Sequence, residues 1–405
     1  MGRRGMRLAA GLALLLGLGL CAPVAAGAAP AKAAISGLVT DAAGRPLSGV
    51  GILVATLDGV QVGEPGYPST GEDGTYTVTG LAAGRYHVCF LPNDTYSREC
   101  RGDAPFDFTA DSLLTIRGAQ RLRGVDAVLD LKVSLSGRVI SPSGAAVPDA
   151  TVTVHSQGAE LTATSDADGR YVVEQVEKGS ASLCVTPPAG TLTSRCWRDV
   201  APDGDWTPIA VGSSNLTGYD VILPLGASVT GTVTDTNGAP VPGTLVTVTP
   251  QWPLRDTEPR YATTDQNGSY AVTGLLAGPY TVCFQPQALL VQPGCLGTEP
   301  GQTPATVELS LGQAGDGSLA LLGGGAITGT VLSTSGQSLW GQAVYVSSED
   351  WQIQRQSWLN RDGTYAAGGL PAGRYQVCGP NWVCVPDVVT VTVGAISSGT
   401  DITIP

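Results

Sequence analysis

The chain of 405 residues carries 22 basic against 34 acidic side chains, a formal net charge of −12 at neutral pH. That balance argues against nucleic acid or an anionic membrane surface as a partner. The length exceeds what one small core fills and implies several domains.

The first residues are basic (Arg3, Arg4, Arg7), the stretch Leu8 to Leu20 is apolar, and Ala25-Ala26-Gly27-Ala28 is a run of small side chains. Basic, apolar and small segments in that order predict a signal peptide over residues 1–28 that exports the chain. The apolar run falls short of the roughly 20 residues a transmembrane helix needs, so no membrane insertion is expected. Of the nine cysteines, Cys21 would leave with this segment, and the remaining eight form an even set in an exported chain. Such a set predicts a disulfide framework.

The rest of the sequence repeats. Ser36-Gly37-Leu38-Val39, Ser136-Gly137-Arg138-Val139, Thr230-Gly231-Thr232-Val233 and Thr328-Gly329-Thr330-Val331 open four units. A second landmark is a turn before a tyrosine, in Asp73-Gly74-Thr75-Tyr76, Asp168-Gly169-Arg170-Tyr171, Asn267-Gly268-Ser269-Tyr270 and Asp362-Gly363-Thr364-Tyr365. In every unit 15 residues separate that glycine from the next cysteine. A recurrence of this kind means one fold copied in tandem, with predicted units at 34–131, 132–225, 226–324 and 325–405. Within a unit apolar residues alternate with polar ones, as in Tyr76, Val78 and Tyr86, Val88, and no helical stripe appears. Asp-Gly and Asn-Gly supply hairpin turns. The expected fold class is all-β: four tandem immunoglobulin-like or prealbumin-like β-sandwiches of about seven strands each.

These landmarks resemble the carboxypeptidase regulatory-like repeat, a prealbumin-like sandwich related to the B-type repeats of bacterial collagen adhesins. The resemblance extends over nearly all of residues 34 to 405 and includes the turn Leu81-Ala82-Ala83-Gly84-Arg85-Tyr86. Unit two departs from it with Val176-Glu177-Lys178-Gly179-Ser180-Ala181, where the strand pattern is weaker. The family implies a structural or binding module, grouped by fold with starch-binding modules, and it does not imply peptidase activity.

The cysteines pair in order within units: Cys89 with Cys100, Cys184 with Cys196, Cys283 with Cys295, and Cys378 with Cys384. Because Tyr86 and Val88 mark the core face, Cys89 points the other way, and each bond is expected to clamp a loop to the outside of its sheet. The two histidines, His87 and His155, fall at outward strand positions and support no catalytic constellation. No catalytic residue, cofactor or metal is therefore expected. Asp166-Ala167-Asp168-Gly169 looks like the start of a calcium loop but lacks the downstream glutamate and reads as a turn. Only Lys32, Lys132 and Lys178 exist, so a lysine crosslink cannot be general to the units.

The seven tryptophans are uneven, with Trp340, Trp351, Trp358 and Trp382 all in unit four beside Gln352, Gln354, Gln356 and Asn381. Sugars stack on indole rings while amides take their hydroxyls, which makes this cluster the candidate carbohydrate site. Trp340 and Trp382 sit in loops. Trp351 and Trp358 are seven apart, and on one unbroken strand at least one of them would face the core. The expected function is a secreted, non-catalytic, monomeric binding protein for polysaccharide. The alternatives are a spacer or adhesive rod that binds a cell-surface protein, and an accessory piece of a starch-hydrolase system.

Overall fold

The structure is a computed structural model, and it describes residues 32–62, 66–108, 112–202, 205–252, 254, 258–297 and 303–405. The predicted signal peptide lies outside the described residues. Among them there are strands and two short 3-10 turns, Trp197–Asp199 and Pro380–Trp382, and no helix is long and apolar enough to cross a membrane.

The strands gather around four main cores, and each draws its buried side chains from a single stretch of sequence: 33–129, 133–223, 227–321 and 327–404. Unit four shows the plan. One sheet runs Thr364–Leu370, Gly325–Ser333, then Ile396–Ser397 and Ile402–Ile404, the last two parallel to the opening strand. The other runs Gln354–Trp358, Ala343–Ser348, Gly373–Cys378, Val389–Val391, all antiparallel. Val344, Val346, Tyr375 and Val377 of this sheet face Ile327, Val331, Tyr365 and Ala367 of the first, and all are buried.

The sequence landmarks have one structural cause. The opening glycine lies directly across the strand pair from the landmark tyrosine, as Gly37 from Tyr76 and Gly329 from Tyr365. The backbone of the closing segment crosses over that glycine so closely that a Cβ at Gly329 would lie 1.9 Å from the carbonyl oxygen of Thr400. The tyrosine hydroxyl donates to the same carbonyl: Tyr76 to Val125 (2.6 Å), Tyr171 to Tyr219 (2.5 Å), Tyr270 to Gly317 (2.8 Å) and Tyr365 to Thr400 (2.6 Å). Glycine and tyrosine thus lock the closing segment to the opening strand in every unit. Burial raises all four phenol pKa values above the ordinary range.

All four disulfides are present as paired in order. Cys89, Cys184 and Cys283 sit directly opposite Cys100, Cys196 and Cys295 in register, on the sheet face away from the main core. In unit one this face is nevertheless covered. Leu53, Ala55, Cys89, Cys100 and Ala104 form a small second core against Phe106 and Phe108. His87 lies under the same cover, 2% exposed, with its Nδ1 2.5 Å from Ser112 Oγ and its ring against Phe108. The outward strand parity of His87 is correct, but its expected exposure is not, because the segment after Cys100 folds back over it. Burial lowers its pKa.

The departure in unit two does not cost a strand: Gly179–Thr186 pairs with Thr151–Ser156 along six residues. Glu177 and Lys178 are instead turned toward unit one.

The disulfide-closed loop of each of the first three units pins the linker to the next. Three residues before the second cysteine a backbone N–H donates to the linker, and a linker N–H donates back. The pairs are Ser97 N to Asp130 O and Lys132 N to Thr95 O; Thr193 N to Pro224 O and Gly226 N to Thr191 O; Gln292 N to Leu322 O and Gly324 N to Leu290 O, all 2.7–3.1 Å. The same loops touch the following unit, through Lys178 N to Ser97 Oγ (3.2 Å), Thr273 Oγ1 to Gly190 O (3.0 Å) and Gly369 N to Leu289 O (2.8 Å).

Candidate functional site

Among the described residues the acidic side chains offer one cluster. Glu99, Asp103 and Asp130 bring carboxylate oxygens within 4.8 Å of one another. Lys178 of unit two places its ammonium among them, at 2.5 Å from Asp103, 2.8 Å from Asp130 and 3.7 Å from Glu99. Beside it Glu177 accepts from Arg98 (2.8 Å) and lies 3.3 Å from Lys132. Burial raises the Glu99 pKa to about 7, against the opposing pull of the Asp130 N–H and Lys178. The ion pairs of Lys178 outweigh its own desolvation and hold its pKa above the usual lysine value. The cluster is a salt-bridged joint whose positive charge comes from the protein itself. Asp166, the supposed calcium turn, spends Oδ1 on the N–H groups of Asp168 and Arg170, as an Asx turn does. His155 lies flat against Trp206, ring centroids 5.1 Å apart and 3° from parallel.

The outer sheet face of unit four is the strongest candidate. On the strand Ala343–Ser348, Val344 and Val346 face the core, which turns Tyr345 outward. Tyr345 stands opposite Gln356 on one side and Cys378 on the other. Trp358, opposite Ala343, is the diagonal neighbour of Tyr345 on this face and is 63% exposed. Trp382 sits in the loop closed by Cys378–Cys384, where Asn381 and Trp382 both take positive φ (59° and 58°). This carries the indole back over Tyr345, with centroids 5.1 Å apart and planes 13° from parallel, and leaves Trp382 66% exposed. The strip is bordered by the exposed amides of Gln354 and Gln356. Trp340 is exposed beyond the end of these strands under the guanidinium of Arg361, 5.4 Å from its ring centre.

Neither Trp351 nor Trp358 enters the core, contrary to the parity expectation. Trp351 is not on the strand but in the turn before it, at φ 59°, where Asp350 caps Ser348 and Gln352, so the alternation does not run through it. The structure therefore groups Trp358 and Trp382, leaves Trp340 at one end of the strand pair and puts Trp351 at the other. Tyr345 was the residue overlooked. Its position between two inward valines was the available signal.

A groove of about 170 Å³ opens where unit four meets the loop of unit three, lined by Gln285, Gln287 and Leu289 on one side and Arg355, Gln356 and Gly368 on the other. A corresponding groove lies between units two and three, lined by Thr186, Pro188 and Gly190 on one side and by Arg260 and Gly274 on the other.

Residues 134–203 and 228–312 match the family model of the carboxypeptidase regulatory-like domain, which covers much of units two and three. No curated protein sequence matches the chain. Among solved structures, the Bacillus anthracis TIE protein is similar at 11% identity over 93% of this chain and 68% of its own, with a TM-score of 0.23. A streptococcal ancillary pilin gives 10% identity, 72% and 99% coverage and a TM-score of 0.29. BcpA, the major pilin subunit of Bacillus cereus, gives 12%, 72%, 99% and 0.20.

Proposed function

We propose that this chain, whose second and third units match the carboxypeptidase regulatory-like domain, is an exported, non-catalytic rod that presents the outer face of unit four to a polysaccharide. One observation carries the reading. Unit one hides its equivalent face under its own chain, whereas unit four leaves Trp358 and Trp382 in solvent, with Trp382 held flat by Tyr345. Large aromatic side chains grouped on an open face mark a binding surface rather than ordinary surface composition. A pre-set indole plane stacks on the C–H face of a sugar ring, and the flanking Gln354 and Gln356 offer both donors and acceptors to its hydroxyls.

The test follows tryptophan fluorescence of the full chain on titration with soluble starch, hydroxyethyl-cellulose and galactomannan. A saturable change for at least one, lost in Trp358→Ala/Trp382→Ala, is expected. Absence of any saturable response removes the reading.

A second reading, a spacer or adhesive rod that binds a cell-surface protein, draws on the three like-built junctions. It gains if the aromatic strip takes a protein partner while every glycan fails.

A further inference from the structure

We infer that the binding surface of unit four is composite: the polysaccharide runs from the Trp382–Trp358 strip into the groove between units three and four. There Arg355 and, from unit three, Gln287 grip its hydroxyls. The inference rests on the glycan reading above and adds its extent, its second unit and the chemistry of its ligand.

Gln356 joins the two parts. It stands opposite Tyr345 on the aromatic face and also lines the groove. Its neighbours on the same edge strand divide the work of the other side. Ser357 is spent on the facing sheet, exchanging hydrogen bonds with Ala366 (2.9 and 3.2 Å). Arg355 makes no such bond, and its guanidinium donates to the carbonyl of Gln354 at 3.0 Å, which leaves further N–H groups toward the groove. The opposite wall is the disulfide-closed loop of unit three, fixed to unit four through Leu289 and to the linker through Leu290 and Gln292. Gln285 and Gln287 on it are exposed.

The position recurs. In unit three Tyr261 stands opposite Thr247, and Thr247 opposite Cys283, as Gln356 stands to Tyr345 and Tyr345 to Cys378. The preceding residue, Arg260, lines the groove to unit two as Arg355 lines the groove to unit three. In unit two the matching residue is Leu161, and that junction is filled instead by Arg98 on Glu177. Two junctions thus keep an arginine in an open groove. The groove between units three and four has amides and a guanidinium but no carboxylate in its wall, in a chain of net charge −12. That lining suits the hydroxyls of a neutral polysaccharide and offers no carboxylate to a cationic ligand. The corresponding groove between units two and three likewise holds no carboxylate in its wall.

The experiment titrates the full chain, wild type and Arg355→Ala, Gln287→Ala and Trp358→Ala/Trp382→Ala, with the trisaccharide and octasaccharide of the cello-, malto- and manno- series. The trisaccharide is the short probe for the strip, and the octasaccharide is the long probe for strip and groove together. The expected result is a loss of about tenfold in octasaccharide affinity for Arg355→Ala and for Gln287→Ala, the worth of one good hydrogen bond, with trisaccharide affinity unchanged. The tryptophan variant should lose both ligands. If Arg355→Ala and Gln287→Ala bind the octasaccharide as the wild type does while the tryptophan variant loses it, the groove is not part of the site and the glycan reading stands. Equal weakening for both lengths also overturns the groove, since it places the two residues under the strip. Failure of the wild type to bind any member removes both proposals.

Discussion

At the scale of single residues, the repeat signature is a steric and hydrogen-bonding requirement. Gly329→Ala would push a methyl against the Thr400 carbonyl, and the closing segment would have to lift away. A cost of about 3 kcal/mol is expected, confined to unit four. Tyr365→Phe leaves the same carbonyl without its buried donor, at about 1–2 kcal/mol. Hydrogen exchange across Ile402–Ile404 should report both, with the glycine variant faster. Glu99 gives a pH prediction. Its folded pKa of about 7 lies above the ordinary value of 4.5, so folding takes up a proton and the stabilising contribution is lost as pH rises through 7. The melting temperature of unit one should therefore rise between pH 8 and about 6.5, and Glu99→Gln should flatten that dependence. Below that window His87, whose pKa is lowered by burial, acts in the opposite sense. The landmark glycines and tyrosines were legible from the sequence because they recur. Glu99 was not, because its neighbours Asp130 and Lys178 are distant in sequence and the latter belongs to another unit.

The disulfide-closed loop is the element that links fold to assembly. Cysteine parity and spacing disclosed the pairing and the sheet face. They could not disclose that Ser97, Thr193 and Gln292, each three residues before the second cysteine, hold the next linker, since backbone hydrogen bonds leave no mark on residue type. Loop length did carry a trace. The cysteines of units one to three are 11, 12 and 12 apart, and those of unit four only 6, with Trp382 in the shortened loop. Opening the Cys283–Cys295 loop by the double substitution to serine should cost about 3 kcal/mol in the chain-entropy view. The more telling result is local: amide exchange at Gln292 and Gly324 should accelerate while the Val246 and Val282 strands of the unit three core stay protected. The aromatic strip was half legible in the same way. Trp358 and Trp382 could be picked out by type, but the turn at Trp351 broke the alternation on which their facing was judged.

At the scale of the whole molecule, four cores that share no residues are joined through three junctions that repeat the same pair of backbone hydrogen bonds. The all-β, repeated organisation was legible because the period is long and the landmarks are dense. The junctions were not, and they decide whether the aromatic face is held out or merely tethered. The property expected of these junctions is rigidity. It is tested most directly by electron–electron distance measurement between spin labels placed on exposed sites of unit one and unit four, in the oxidised chain and again in the Cys283→Ser/Cys295→Ser variant. The account predicts a narrow distance distribution in the oxidised chain that broadens in the variant. A broad distribution in the oxidised chain, unchanged by the substitutions, would contradict it.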